Sequence, residues 1–328
     1  MKRRDFLALV GGAAVGWPLA ARAQQRPMPV VGFLGSASPD LWAARLRAFH
    51  QGLGETDYIE GHNVAFEYRW AEDQNDRLPA MAADLVRRQV NVIAAVGSTP
   101  AALAAKMATT TIPVVFEIAG NPVELGLVSG LARPGGNVTG VTTLNAEVEP
   151  KRLELLHELV PAAASIALVV NPTNPAQAES TTKVLHASAD QLGVQLNVLN
   201  ASTESDFDTV FANAVQLKAG ALVIGADPLF TSRLGQLAEL ALRHAIPAVY
   251  EFREFAAVGG LLSYGSSLTG TFGLAGNYAG RILKGENPSD LPVQQATKVE
   301  LIINLKTAKA FGLTVPLSLL GRADEVIE

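Results

Sequence analysis

A chain of 328 residues with 48% hydrophobic and 17% charged content can bury one large core or two medium ones, which excludes a disordered chain or a coiled coil and favours two domains. Its formal net charge of −5 gives no general electrostatic reason to bind nucleic acid or an anionic membrane. The absence of cysteine removes disulfides, thiolate metal sites, cysteine nucleophiles and a lipid-modified N-terminal cysteine from consideration.

Residues 1–23 combine a basic start, an apolar middle from Phe6 onward and a small-x-small ending at Ala21-Arg22-Ala23, the pattern of a signal peptide cleaved after Ala23. The pair Arg3-Arg4 followed by Asp5-Phe6-Leu7 resembles the twin-arginine export pattern. Gly11, Gly12, Gly16 and Pro18 interrupt the apolar run, which argues against an uncleaved spanning anchor. Cleavage removes four bases (Lys2, Arg3, Arg4, Arg22) and one acid (Asp5) from the 26 and 31 of the full chain, leaving 22 against 30, a net −8. No later stretch approaches the roughly 20 apolar residues of a spanning helix. The expected product is soluble in the periplasm, without stable membrane insertion.

After a linker at 24–29, buried-strand runs alternate with amphipathic helical segments. The first strand is expected at 30–34, with Ser38 and Pro39 opening a helix whose Trp42, Leu46, Phe49 and Leu53 recur at helical spacing and face a core. Strands follow at 64–70, 92–96, 112–118 and 138–142, separated by helices at 78–88 and 101–108. The rhythm then restarts: helix 150–159, strand 166–170, helix 176–191, strand 194–199, helix 205–217, strand 221–225, helix 232–244 and strand 247–250. Past Gly259 come a strand at 261–264, a helix at 268–283, a strand at 298–304 and a helix at 305–311. Two similar βαβ halves with parallel sheets result. The last pieces are too few for a third core, so they return to the two lobes, with the chain crossing near Thr143, Ser266 and Pro292. The expected division is 27–143 with 266–292 in the N-terminal lobe, and 144–265 with 293–328 in the C-terminal lobe.

No nucleophile elbow, zinc-protease helix, P-loop or dinucleotide fingerprint occurs, and the histidines at 50, 62, 157, 186 and 244 are scattered. His157-Glu158 lacks the second histidine of a zinc helix, so no metal, no cofactor and no enzyme activity are expected. What the sequence does carry is small and polar residues at the carboxyl ends of the expected parallel strands, where α/β proteins bind ligands. Several of these open helices, whose free N–H groups suit an anion. The candidate ligand-binding residues are Ser36, Ser38, Ser98, Thr99, Asn121, Thr143, Asn171, Asp227, Tyr250 and Tyr264. Each has a structural reading beside it. Ser38 and Thr99 fit as N-caps before Pro39 and Pro100, and Asp227 before Pro228 fits both a turn cap and a partner for a ligand ammonium. Tyr264 and Trp70 fit as packed aromatics. Glycines 273, 276 and 280 fit close helix packing rather than a phosphate loop.

Four runs carry a resemblance. These are Asn121 to Val128, Ala132-Arg133-Pro134-Gly135-Gly136-Asn137-Val138-Thr139-Gly140-Val141, Gly260-Leu261-Leu262-Ser263-Tyr264-Gly265 and Ile302-Ile303-Asn304-Leu305-Lys306-Thr307-Ala308. Together they resemble the ABC transporter substrate-binding family that includes tryptophan/tyrosine-type binding proteins, over essentially the whole chain past the leader. The resemblance implies an α/β fold of the type I periplasmic binding protein class: two Rossmann-like lobes joined by a three-segment hinge. It implies a receptor that captures a small organic solute, an amino acid or small carboxylate, aromatic ones included, and presents it to an inner-membrane ABC permease with its ATPase. It also implies that Asp227 faces a ligand amino group and that Ser98-Thr99 takes a carboxylate. A ligand-sensing partner of a sensor kinase and a periplasmic α/β enzyme are the alternatives; the enzyme lacks a visible nucleophile–base pair. Intact mass of the exported protein should place its first residue at Gln24; retention of residues 1–23 would overturn the cleavage assignment.

Overall fold

The computed structural model describes residues 28–143, 145–296 and 299–328; the expected signal peptide at 1–23 lies outside the described residues. In chain order the first half comprises β1 (Val30–Gly35), α1 (Ala43–Gly54), β2 (Ala65–Trp70), α2 (Leu78–Arg87), β3 (Val92–Val96), α3 (Thr99–Ala108), β4 (Val114–Ile118) and β5 (Val138–Thr142). The second comprises α4 (Asn145–Leu159), β6 (Ser165–Val170), α5 (Pro175–Leu192), β7 (Gln195–Asn200), α6 (Phe207–Gln216), β8 (Ala221–Ile224), α7 (Pro228–Ser232), α8 (Leu234–Arg243), β9 (Ala248–Tyr250), α9 (Arg253–Ala257) and β10 (Leu262–Ser266). The remainder is α10 (Leu268–Leu283), β11 (Gln294–Gln295), β12 (Val299–Asn304), α11 (Leu305–Ala310), α12 (Leu317–Leu320) and β13 (Glu325–Ile327).

These strands form two sheets, ordered β11-β5-β4-β3-β1-β2 and β13-β12-β10-β9-β8-β6-β7. Every residue of β3, β4 and β5 is buried. Helices cover both faces of such strands, so their sequences read as continuous apolar runs instead of alternating. The chain leaves the first sheet after β5, comes back from β10 into α10, and enters the second sheet again through β12. Each passage starts from the carboxyl end of a parallel strand. A strand entering from that side must run backwards, which is why β12 pairs antiparallel with β10 in a sheet expected to be parallel throughout. The last passage also falls later than Pro292, because Gln294 and Gln295 still pair with Val141 and Thr142 of the first sheet.

Local differences from the sequence expectation have local causes. Ser38 caps nothing: Pro39 holds the N-cap position of a single 3-10 turn, Asp40–Trp42, that precedes α1. At α3 the cap is Ser98, whose Oγ accepts from the Ala101 amide at 3.2 Å, and this moves Thr99 inside the helix. The helix expected at 232–244 is α8, and the short α7 ahead of it was not expected from sequence; the two are separated at Arg233, where the backbone leaves helical geometry (φ −126°, ψ 27°). Trp70 packs: its ring lies 5.7 Å edge-on from Trp42 and 5.1 Å from Phe33.

Helix α10 belongs to the first sheet by packing, although it follows the second in sequence. It lies along α1, and glycines allow the close approach. A Cβ at Gly276 would strike the Phe49 carbonyl oxygen, whereas a Cβ at Gly273 would meet only the Ala48 oxygen at 3.6 Å. Gly276→Ala should therefore force the two helices apart and cost about 1–3 kcal/mol. Gly273→Ala should be neutral or stabilising by up to about 1 kcal/mol through helix propensity. Chemical denaturation of the two variants checks this; equal effects would show that the helix contact is not tight.

Candidate functional site

The carboxyl ends of both sheets face each other across a narrow cavity that opens to solvent. Its wall takes Gly97, Ser98, Thr99, Glu117, Ala119 and Thr143 from the first sheet's strand ends, with Arg45 of α1 and Phe272 of α10. The second sheet's side supplies Asn174, Gln177, Asp227, Thr231, Glu251 and Phe252. Among the described residues, three polar contacts at or beside the cavity join the two sides. The Arg45 guanidinium (Nη2) donates to the Thr231 carbonyl at 3.0 Å. Asn75 Nδ2 donates to Thr173 Oγ1 at 3.2 Å. Arg233 Nη2 lies 3.6 Å from Asp73 Oδ2 while its Nε donates to Glu204 at 2.7 Å.

On the first side, Gly97 turns the chain from β3 into α3 at φ +73°, and a side chain there would meet Trp42 at 2.6 Å and Phe272 at 2.8 Å. The tight turn puts the Ser98 cap and Thr99 at the cavity. Pro100 carries no N–H and the Ala101 N–H is held by Ser98, so the first turn offers the Thr99 amide and two hydroxyls as donors. Capping and ligand binding are compatible here, because the Ser98 Oγ accepts from Ala101 and keeps its own proton to donate. Thr143, 4% exposed, adds a hydroxyl with no hydrogen-bond partner among the described residues.

Acidic groups dominate the rest. Asp227 is buried and saturated: its Oδ1 accepts from Asn171 Nδ2 at 2.9 Å and from the Leu229 amide at 3.0 Å, and its Oδ2 accepts from Asn174 Nδ2 at 3.0 Å. Burial raises its pKa and these donors hold it down. Glu117 stands in the apolar run of β4; burial pushes its carboxyl up to about 7, opposed by the Thr271 hydroxyl, the Gly97 amide and Arg45. Glu251 follows β9 and is pushed up to about 8, by burial first and then by Glu149 and Glu117, against the attraction of Arg152. Arg45 is 8% exposed and its guanidinium lies 5.2 Å over the Trp42 ring. Burial weighs against its charge, while Tyr250, Glu254, Glu117 and Glu251 favour it. Among the described residues no cluster of three or more His, Cys, Asp or Glu is arranged to hold a metal ion.

Of the ten residues singled out from sequence, Ser98, Thr99, Thr143 and Asp227 stand on the cavity wall. Ser36 and Asn171 share with Asp227 a smaller adjoining crevice. The other four lie elsewhere. Tyr250 is fully buried, its hydroxyl 2.6 Å from Thr231 Oγ1, so it supports the wall from beneath. Asn121 spends its side chain in its own turn, accepting from the Val123 amide and donating to Glu124. Tyr264 packs on the apolar cluster beside the second sheet. Ser38 precedes the 3-10 turn, half-buried and outside the wall. Arg45, Glu117, Gln177 and Glu251 were not among the ten. A carboxylate inside the run 114–118 and a guanidinium on the Trp42–Phe49 face of α1 were the visible signals.

A carboxyl whose folded pKa exceeds its unfolded value binds extra protons in the folded state, so its contribution to stability falls as pH rises between the two values. For Glu117 that window runs from about 4.5 to about 7. His50, depressed by burial, acts in the opposite sense, so the useful quantity is a difference. Glu117→Gln should gain stability over the wild type between pH 5 and pH 8 in the ligand-free protein, by on the order of 1–3 kcal/mol. A gap independent of pH in thermal melts would show that Glu117 is ionised and compensated throughout.

With this geometry in view, known proteins fall into place around it. A tyrosine-binding protein of Clostridioides difficile (strain R20291) is 29% identical over 267 residues, covering 81% of this chain and 76% of the relative. A structure from Streptococcus pneumonia described as an ABC domain in complex with L-Trp is 24% identical, covers 91% of this chain and 99% of its own, and superposes with a TM-score of 0.80. A ligand-free, open substrate binding protein with adhesive properties from Clostridium difficile is 25% identical, with coverage of 91% and 99% and a TM-score of 0.63. The two-sheet arrangement is that of type I periplasmic binding proteins. Residues 37–327 match the family model described as ABC transporter substrate binding protein, a family of binding proteins rather than enzymes, and the chain belongs to that family.

Proposed function

We propose that the protein is the periplasmic receptor of an ABC importer, enclosing an amino acid or a related small carboxylate between its lobes and presenting it to a permease with its ATPase. The observation that carries this reading is the cavity itself. Hydroxyl and amide donors at the start of α3 face it from one side, together with Arg45 and Glu117, and the buried carboxyls of Asp227 and Glu251 with the amides of Asn174 and Gln177 face it from the other. A zwitterion matches that pairing of donors and acceptors, and a ligand enclosed between the lobes must find fixed partners for each charge it takes out of water. The tyrosine and L-Trp associated with two of the similar proteins favour an aromatic side chain, for which Phe252 and Phe272 provide apolar wall.

Capture proceeds by hinge closure: open and closed forms interconvert, and a solute touching both lobes favours the closed form. Support comes from the contacts that already join the two sides at Arg45, Asn75 and Arg233. It comes also from the closer superposition on the L-Trp complex than on the open ligand-free protein at nearly equal identity. No bond of the solute is made or broken. Export to the periplasm follows from the leader read in residues 1–23.

The test is a thermal-shift and calorimetric screen of amino acids, aromatic acids and small carboxylates on the chain beginning at Gln24. A true ligand at a hundredfold excess over Kd should add about 2.7 kcal/mol of stability and shrink the radius of gyration in solution scattering. Absence of any shift across the amino acids and carboxylates would refute the solute class. A shift without compaction would refute closure.

A further inference from the structure

The acceptor side of the cavity is not uniform, and hydrogen bonding sorts it. Asp227 has its two oxygens occupied by three donors from two segments, the turn 171–174 and the start of α7, and the orientation of one donor is fixed. Asn171 Oδ1 takes the Thr173 amide and hydroxyl, so its Nδ2 can only face Asp227. Asp227 therefore ties the ends of β6 and β8 to the start of α7. Gln177 is the reverse case. Thr181 gives its proton to Glu149 Oε1 at 2.8 Å, so it must accept from Gln177 Nε2 at 3.2 Å. The amide cannot flip, and Gln177 Oε1 is left as a buried acceptor without a partner in a residue only 5% exposed on the cavity wall. Glu251, 3% exposed on the same wall, is coupled to the same Glu149.

The charges facing Glu251 come from every element around it. Arg152 and Glu149 lie on α4, Glu117 on β4 and Arg45 on α1, with the Tyr250 hydroxyl beside it. Glu254 on α9 also draws on Arg45, so these three carboxyls have at most two guanidiniums between them, and ionising the last carboxyl leaves a surplus of negative charge out of water.

Building on the solute class proposed above, we propose that Gln177 Oε1 and Glu251 are the acceptors that take the solute's ammonium group, and that Asp227 is a positioning residue that shapes the wall without pairing with the solute. An ammonium has three donors; it supplies both the hydrogen bond that Gln177 lacks and the positive charge that the carboxyl cluster lacks. A neutral or purely anionic solute supplies neither, so the pair selects for a cationic nitrogen.

The experiment compares L-tyrosine, L-tryptophan, tyramine and the deaminated acid of tyrosine on wild type, Glu251→Gln and Asp227→Asn by calorimetry. The expectation is that Glu251→Gln weakens the amine-bearing probes at least tenfold and changes the deaminated acid less than threefold. Asp227→Asn should weaken all probes alike and lower the melting temperature. The proposal is overturned if the deaminated acid binds wild type as tightly as tyrosine, if Glu251→Gln keeps the preference for amines, or if Asp227→Asn alone abolishes it. If wild type binds none of the probes, the aromatic solute class fails, and Glu251 is judged on the ligand-free protein. Glu251→Gln must then raise the melting temperature more at pH 9 than at pH 5. A difference independent of pH would mean that its charge is already compensated and needs no ammonium, which would sink the assignment.

Discussion

Carboxylates held out of water between two sheets set the terms for the rest of this molecule. Asp227, Glu117 and Glu251 are each 6% exposed or less, and an unpaired buried carboxylate costs several kcal/mol. The three are handled differently. Asp227 is given neutral hydrogen-bond donors, enough to keep it in place at any stage of binding. Glu117 and Glu251 are given less, and burial drives both toward protonation near neutral pH. A cavity wall with incomplete compensation is poised for a ligand that completes it, because the same low dielectric that penalises the lone charge strengthens the paired one.

Topology delivers these groups to one place. In both sheets the parallel strands end on the side of the cavity, and all passages between the sheets are made there. The antiparallel β12 is a consequence of that geometry, since a chain arriving from the cavity side can only run away from it. Helix α10 is the structural counterpart: it is reached from β10 of the second sheet, yet it packs on α1 through glycine contacts that admit backbone against backbone. Its Phe272 and the Trp42 that precedes α1, rings 5.6 Å apart, form the apolar floor beneath Gly97.

Much of the fold was legible because it is encoded locally. The runs 92–96 and 138–142 match β3 and β5 residue for residue, and 268–283 matches α10. Fully buried strands and a long amphipathic helix carry their own periodicity. Short edge elements such as β11 and β13 were invisible, since two or three residues carry no period and exist only where a neighbouring strand offers its edge. The same divide runs through the site. Ser98, Thr99, Thr143 and Asp227 end apolar runs, so position in the sequence alone points to the sheet edge. Asn121 and Ser38 have the same local pattern, yet their side chains or flanking prolines are consumed by local turns.

The order of strands and helices, the two-lobed α/β class, the family and the general place of the cavity were thus determined by the sequence, because apolar periodicity and strand-end chemistry are properties of neighbouring residues. Which polar groups meet was decided only by the tertiary structure. Arg45 and Gln177 reach the cavity from helix faces, and their partners, Thr231 and Thr181 with Glu149, come from other segments. A helix residue's reach depends on how that helix docks, and a carboxyl's charge depends on every group buried around it; neither quantity exists until the two halves of the chain are folded against each other.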